Sequence, residues 1–252
     1  MSKKLKWSVV VTTAPRQRSK LQTTIQSLLT AGWNDPIVFA EPASSTCDAT
    51  TYTNPVKLGV FHNWIKSATN ALNSNADVIM TVQDDVWFHS DSKWFAESAL
   101  WPKNCGFFSL YTPEHHSIIR GKKQRWGIYS ILVKSLWGAM AMIWHPSVLK
   151  QVINSKRAKN WIGRRSTMAE GEQRWKENNP QDVRNVDTFI GYCVREMKRK
   201  MYYVNPSFVQ HISEYSSIGG RDATGKRSAK FMVGTPRVPH ANEIPIKSEF
   251  FS

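Results

Sequence analysis

Two adjacent carboxylates, Asp84 and Asp85, follow an apolar run at residues 78–82. A run of Val, Ile and Met is typical of a buried β-strand, and open α/β sheets bind ligands at the carboxyl ends of their strands. Carboxylate oxygens at such a strand end suit a hard divalent cation, either Mg2+ or Mn2+. For a bare Asp-Asp pair, an acidic turn after a strand is the better interpretation, so the cation hypothesis needs a second ligand.

A candidate for that second ligand, His211, lies far downstream. It follows another short apolar run and precedes the hydroxyls and glycines of residues 213–220. A single histidine on a strand is usually a structural residue, so the residue type alone does not identify a ligand. Its place after a strand, like that of the Asp pair, favours one shared site.

These segments, in this order after a strand, a turn and a helix, resemble the GT-A glycosyltransferases. Gln83, Asp84 and Asp85 lie where those enzymes carry an Asp-x-Asp motif. Residues 206–211 with Ser216 and Ser217 are similar to the late metal-binding histidine segment of the N-acetylglucosaminyltransferases that branch N-glycans. Residues 186–191 are similar to the Glu-Asp-Val-x-x-Gly segment of fringe-type transferases. The resemblance covers residues 7 to 220 in outline.

The resemblance implies a metal-dependent transferase with a nucleotide-sugar donor, a UDP-sugar, and it implies Asp85 and His211 as ligands of Mn2+ or Mg2+. Gln83 departs from the family motif, because a neutral amide stands where the first acid is expected. A divalent ion in such an enzyme stabilises the developing charge of the diphosphate leaving group. Further diphosphate contacts are predicted from a glycine-hinged loop that closes over the donor, at Ser216, Ser217, Arg221 and Lys226.

Other predicted donor contacts follow the first strands of the chain. In the resemblance these positions line the nucleotide pocket, with Glu41 accepting hydrogen bonds from the ribose or the base. For two of them, Thr12 and Thr13, ordinary turn and cap chemistry is an equal alternative. The predicted donor-binding residues at strand ends and helix starts are Thr12, Thr13, Ala14, Arg16, Glu41, Asn63, Gln83 and Asp84.

An inverting transfer needs one carboxylate to take the proton of the acceptor hydroxyl as that oxygen attacks the anomeric carbon. The fringe-type resemblance implies Asp187 for this role. Asp182 and Glu172 are alternatives, and Asp187 as a plain helix cap is another. Trp137, Gly138 and Asp182 are predicted on the acceptor side of the site.

Apolar periodicity predicts alternating strands and helices, which indicates an α/β fold of GT-A (Rossmann-like) type, a mainly parallel sheet with helices on both faces. The predicted strands are residues 7–13, 37–40, 77–82, 107–111, 139–144 and 202–204. The predicted helices are residues 21–29, 61–72, 146–152 and 187–200. Gly32 is the expected stop of the first helix.

Length and composition fit one domain. A chain of 252 residues with 41% apolar residues fills a sizeable core, so a single domain is predicted over residues 1–234 and an irregular tail over residues 235–252. There is no apolar run near 18 residues and no signal-peptide pattern. The protein is therefore expected to lack an integral membrane segment and to be cytoplasmic, in the host cell if viral. Cys47, Cys105 and Cys193 are predicted to be free thiols.

The net charge of +15 bears on the acceptor. Basic clusters with interleaved tryptophans suit a phosphate backbone and unstacked bases, although a solvated charged face is the commoner reason for any one cluster. The leading hypothesis is transfer to a 5-hydroxymethylpyrimidine base in phage DNA. The alternatives are a surface-polysaccharide or lipopolysaccharide transferase and a non-enzymatic nucleic-acid-binding module. The residues predicted to contact nucleic acid are Lys122, Lys123, Arg125, Arg164 and Arg165.

Overall fold

The computed structural model describes residues 5–98, 102, 104–113, 118–119, 122–123, 127–131, 138–161 and 186–212. The described strands are β1 (Trp7–Thr13), β2 (Ile37–Ala40), β3 (Thr50–Thr53), β4 (Val78–Gln83), β5 (Val86–Phe88), β6 (Cys105–Ser109), β7 (Ile118–Ile119), β8 (Lys122–Lys123), β9 (Gly127–Ile131), β10 (Ala141–Trp144), β11 (Lys200–Asn205) and β12 (Val209–His211). The described helices are α1 (Leu21–Thr30), α2 (Gly59–Asn73), α3 (Ser92–Ser98), α4 (Pro146–Ile153), α5 (Lys156–Lys159) and α6 (Val186–Glu196).

A mixed sheet of eight strands forms the centre, in the order β3-β2-β1-β4-β10-β6-β11-β9. The first four strands in this order are mutually parallel. β10 runs antiparallel to both β4 and β6, β11 is parallel to β6, and β9 is antiparallel to β11. Only β10 and β9 therefore oppose the common direction, as predicted for a mainly parallel sheet.

Helices cover both faces of this sheet through two separate apolar clusters. On one face, Leu21, Ile25 and Leu28 of α1 pack with Val9 and Val11 of β1. The opposite face is covered by α2, α4 and α6, whose buried residues include Phe61, Trp64, Leu149, Phe189 and Ile190. The alternation of buried residues along β1 to the two faces is the period of an extended strand, and it explains why one strand serves both clusters.

Several predicted elements have the predicted bounds. β1 and β2 begin and end where the apolar runs do. α1 ends one residue beyond the prediction, and Gly32 follows its C-cap with a φ of 84°. That left-handed conformation favours glycine, which confirms the predicted helix stop. The predicted helix at residues 187–200 is shorter in the structure, because its last four positions form a turn and the start of β11.

The other chain-wide predictions have mixed outcomes. The three cysteines are free, and Cys105 and Cys193 are buried, as expected. Within the described residues, no helix combines the length and apolarity that a membrane crossing requires. The division into a domain at 1–234 and a tail at 235–252 stays a prediction, because residues 213–252 lie outside the described residues.

Candidate metal and donor site

The carboxyl ends of β1, β2 and β4 meet at one edge of the sheet. Thr13 is in register with Ala40, and Thr12 is in register with Gln83. The polar residues that follow these strands therefore converge, as expected for the ligand edge of an open α/β sheet. Asp84 and Asp85 lie in the tight turn that joins β4 to β5.

Asp85 and His211, which are 126 residues apart in the chain, are in direct contact. The Nε2 atom of His211 lies 3.0 Å from Oδ2 of Asp85. Both side chains are largely buried, with 5% of the aspartate side chain and 10% of the histidine side chain exposed. The sequence-based hypothesis that these two residues share a site is consistent with this contact.

A small two-stranded sheet produces the contact. β12 pairs antiparallel with β5, which sets His211 opposite Val86, and the backbone N–H of Ile212 donates a 2.9 Å hydrogen bond to the carbonyl of Asp85. The backbone of the histidine segment is thus fixed against the backbone of the Asp-Asp turn.

Two hydroxyls of α1 hold the other edge of β5. Oγ1 of Thr24 accepts a 3.2 Å hydrogen bond from the N–H of Val86, and it lies 2.8 Å from the Val86 carbonyl and 2.9 Å from the Asp84 carbonyl. Oγ of Ser27 accepts a 3.1 Å hydrogen bond from the N–H of Phe88. These hydroxyls, three residues apart on the helix, satisfy backbone groups that a neighbouring strand would otherwise satisfy. Neither contact was predicted from the sequence, since Thr and Ser inside an amphipathic helix give no signal of such contacts.

Arg16, from the turn after β1, bridges the two carboxylates. Its Nη2 lies 2.8 Å from Oδ1 of Asp84 and its Nη1 lies 2.9 Å from Oδ2 of Asp85. The hydroxyl of Thr13 donates a further hydrogen bond to Oδ2 of Asp84. Two residues predicted as donor contacts are therefore bound to the Asp pair in this structure.

The two carboxyls differ in acidity. Burial raises the pKa of Asp84 to about 6, against the opposing charge of Arg16. Burial also acts to raise the pKa of Asp85, but its hydrogen bond from His211 and the positive charge of Arg16 outweigh burial and hold that pKa below its ordinary value. Both carboxyls are therefore largely ionised at neutral pH, and Asp85 stays ionised to a lower pH than Asp84, as suits a metal ligand.

The residues fit a divalent ion that also takes ligands from its substrate. Oδ1 of Asp85 is buried and has no hydrogen-bond partner among the described residues, which leaves an anionic oxygen in need of a cation or donor. Nε2 of His211 and Oδ2 of Asp85, which lie 3.0 Å apart, would be the protein atoms that hold the ion. Within the described part of the chain no group of three or more His, Cys, Asp or Glu side chains is gathered.

Glu41 and Asn63 are bound within the protein. Oε2 of Glu41 accepts a 2.8 Å hydrogen bond from the N–H of Leu58, at the start of α2. The amide nitrogen of Asn63 donates to the carbonyl of Phe39, and its oxygen accepts from Asn54. Both side chains are buried. These bonds join strand ends to α2, and the predicted nucleotide contacts of the two residues stay predictions.

The remaining donor candidates of the first strands lie at the same edge. Oγ1 of Thr12 donates a 3.3 Å hydrogen bond to the carbonyl of Val82. The backbone N–H of Gln83 donates to the carbonyl of Met140, so the residue that replaces the first motif acid lies beside the segment between Gly138 and β10. Thr12, Ala14 and Gln83 are partly exposed. Their donor contacts are not tested by these bonds.

The predicted catalytic carboxylate, Asp187, contacts the segment before β10, the strand next to β4 in the sheet. Asp187 is in the first turn of α6, where Oδ1 accepts a 2.7 Å hydrogen bond from the N–H of Thr188 and Oδ2 accepts a 3.2 Å hydrogen bond from the N–H of Gly138. Asp187, the predicted base, and Gly138, predicted on the acceptor side, are therefore in contact. Gly138 has a φ of 75°, a conformation that other residues rarely adopt. The bond to Thr188, the next residue, is not the bond of a helix cap, which accepts from the N–H two or three residues further on.

Other predicted site residues cannot be placed. The side chains of Lys122 and Lys123 are not described, although their backbone forms β8, which pairs with β7. The predicted residues that lie outside the described part of the chain are Arg125, Trp137, Arg164, Arg165, Glu172, Asp182, Ser216, Ser217, Arg221 and Lys226.

Comparison with solved structures supports the predicted fold class. The chain matches TarS of S. aureus in complex with UDP-GlcNAc with a TM-score of 0.51 and 8% identity, over 85% of this chain and 60% of that one. It matches TarS in complex with UDP with a TM-score of 0.50 and 9% identity, over 81% and 60%. GalNAc-T7 with UDP, GalNAc and Mn2+ matches with a TM-score of 0.47 and 10% identity, over 83% and 44%.

At such identities the likeness shows the fold alone, an α/β fold of GT-A type. The chain spans less than two thirds of the length of each of these structures. No protein-family model and no curated protein matches the sequence.

Proposed function

We propose that the protein is a divalent-metal-dependent glycosyltransferase that uses a UDP-sugar donor and inverts the anomeric centre. The contact between Asp85 and His211 carries this proposal. A buried, ionised carboxylate in contact with a distant histidine, with a second oxygen that has no partner among the described residues, is costly to keep in a plain acidic turn and is typical of a functional site. Asp85 through its carboxylate and His211 through Nε2 are the proposed ligands of Mn2+ or Mg2+.

The choice of donor follows from fold and position. The TarS structures contain UDP and UDP-GlcNAc. The strand ends of this chain bring the hydroxyl of Thr13 and the guanidinium of Arg16 to the ligand edge of its sheet. A guanidinium suits a diphosphate because its planar fork presents paired donors.

In the proposed reaction, the acceptor oxygen forms a bond to the anomeric carbon while the bond from that carbon to the UDP oxygen breaks. Asp187 takes the proton of the acceptor hydroxyl during this step. The N–H of Gly138 orients its carboxylate, and each of its oxygens keeps a further lone pair for the acceptor. The bound ion supplies electrostatic stabilisation of the UDP leaving group. A single displacement of this kind inverts the anomeric configuration.

The proposed acceptor is a 5-hydroxymethylpyrimidine base in phage DNA. Its support is the net charge of +15, together with two segments rich in Lys and Arg, residues 156–159 and 195–200. Arg157 of α5 forms an ion pair with Glu196 of α6 and stacks on Tyr192, so that the Lys156–Lys159 cluster adjoins the basic end of α6. A positively charged surface of this kind favours a polyanion. A target base within duplex DNA must be flipped out or met in the groove.

A donor and acceptor panel tests this function. The protein is incubated with Mn2+, individual UDP-sugars and DNA containing 5-hydroxymethylcytosine, and the DNA is then digested to nucleosides for mass spectrometry. Asp85→Asn is the matched control. A nucleoside heavier by one hexose or N-acetylhexosamine, absent with the variant, supports the proposal. Donor hydrolysis without DNA product moves the acceptor to a surface polysaccharide or lipopolysaccharide. The absence of any Mn2+-dependent donor turnover leaves the nucleic-acid-binding module.

A further inference from the structure

Arg16 lies where a cation is needed by the Asp pair. Its guanidinium joins Oδ1 of Asp84 to Oδ2 of Asp85, and only 12% of its side chain is exposed. The two carboxylates are almost fully buried. Adjacent buried carboxylates repel each other, and a bridging guanidinium removes most of that repulsion. Arg16 therefore supplies the charge neutralisation that a divalent ion would otherwise supply.

Arg16 and the proposed ion require the same oxygen. Oδ2 of Asp85 accepts from Nη1 of Arg16 at 2.9 Å and contacts Nε2 of His211 at 3.0 Å. An ion held by this oxygen and by the histidine nitrogen stands within a few ångströms of the guanidinium. Like charges at that separation in a buried site repel strongly, so both cations cannot keep full contact with Asp85.

We propose that Arg16 is an exchangeable internal cation, which neutralises Asp84 and Asp85 in the metal-free protein and releases Asp85 when a divalent ion binds. The released Nη1 then donates to the diphosphate of the donor, while Nη2 keeps its contact with Asp84. The exchange makes metal and donor binding cooperative, because the diphosphate provides the new partner that compensates Arg16 for the lost carboxylate. This inference rests on the proposed metal site at Asp85 and His211.

Mn2+ binding to the full chain, measured by calorimetry without nucleotide, tests the exchange. Arg16→Gln removes the competing charge and should bind Mn2+ at least about tenfold more tightly than the wild type. Arg16→Lys keeps the charge and should remain within about threefold of the wild type. Repeating the titrations with UDP should raise the Mn2+ affinity of the wild type more than that of Arg16→Gln, because only the wild type gains the arginine-diphosphate contact.

Thermal unfolding provides an independent readout. Arg16→Gln should unfold at a lower temperature than the wild type without metal, since it leaves buried carboxylates uncompensated, and saturating Mn2+ should reduce that difference. If Arg16→Gln does not fold, the double variant Arg16→Gln/Asp84→Asn is compared with Asp84→Asn. The double variant buries only one uncompensated carboxylate, so it should fold more readily. The same increase in Mn2+ affinity is expected between those two proteins.

The outcomes separate this inference from the proposed function. Equal or weaker Mn2+ binding by Arg16→Gln, with clear binding by the wild type, overturns the exchange and leaves the metal site intact. No Mn2+ binding by either protein, with or without UDP, overturns both the exchange and the metal-dependent function.

Discussion

The hydroxyl of Thr24 is expected to hold the metal-binding turn in place from the interior of α1. Thr24 is fully buried, and its Oγ1 atom bonds to the N–H of Val86 and contacts the carbonyls of Asp84 and Val86, on both sides of Asp85. Thr24→Val keeps the shape of the side chain and removes the hydroxyl. The buried Val86 N–H then loses its partner, which costs about 1–3 kcal/mol.

Ser27→Ala is the matched control for this change. Its Oγ atom is one turn further along α1 and accepts from the N–H of Phe88, so its loss also leaves one buried donor of β5 without a partner. We expect both variants to lose about 1–3 kcal/mol of unfolding free energy in urea denaturation. Only Thr24→Val should also weaken Mn2+ binding, by about 10–100-fold, as is usual when a group that orients a ligand is removed.

Two results would refute this reasoning. A Thr24→Val protein as stable as the wild type within about 0.5 kcal/mol would mean that the β5 edge finds other partners. Equal Mn2+ affinities of Thr24→Val and Ser27→Ala would mean that the hydroxyl of Thr24 supports the fold and not the position of Asp85.

Three further predictions concern the base, the acceptor and pH. Asp187→Asn keeps the size of the side chain but cannot accept the acceptor proton, so steady-state kinetics should show turnover reduced by roughly 100-fold or more with little change in donor KM; near-normal turnover would move the role to Asp182 or Glu172. Burial and the charge of Arg199 lower the pKa of His145, whose Nδ1 accepts from the N–H of Ser147 at the start of α4. The neutral cap therefore contributes stability above the unfolded pKa of about 6.5, and this stability is lost as pH falls through the lower folded pKa. Asparagine caps a helix without titrating, so His145→Asn should gain stability relative to the wild type as pH falls from 8 to 5 in urea unfolding. A stability difference that does not change with pH would contradict this. The logarithm of the DNA affinity should fall with the logarithm of the salt concentration, at a slope of about −0.9 per phosphate contact in duplex. Charge reversal of the predicted contacts, Lys122, Lys123, Arg125, Arg164 and Arg165, should make that slope shallower. A slope unchanged by these reversals would count against the predicted contacts.

The sequence predicted the elements that depend on local apolar pattern. β1 and β2 were predicted with their observed bounds because each is a continuous apolar run in a buried sheet. β3 was not predicted, since all four of its residues are exposed and it is a strand only through its pairing with β2. β5 was not predicted either, because its separate sheet depends on β12, far along the chain.

The candidate site was likewise predicted from the sequence only in part. The contact of Asp85 with His211 was expected because two strand-end segments resembled one family's metal site. The bridge from Arg16 to both carboxylates was not expected, since a strand-end arginine in that family pattern suggested a donor contact. Whether a side chain faces a ligand or its own protein depends on tertiary geometry, as the internal bonds of Asn63 illustrate. Periodicity and residue type contain no information on that choice.

Calorimetric titration with Mn2+ in the presence of UDP tests the metal site most directly, with the wild type, Asp85→Asn and His211→Ala compared. The wild type should bind one ion, and each variant should bind it at least about tenfold more weakly, because each loses one of two protein ligands while the Asp-Asp turn keeps its backbone contacts with Thr24 and Ile212. Equal Mn2+ affinity in all three proteins would contradict the site at Asp85 and His211, and with it the metal-dependent transfer proposed for this protein.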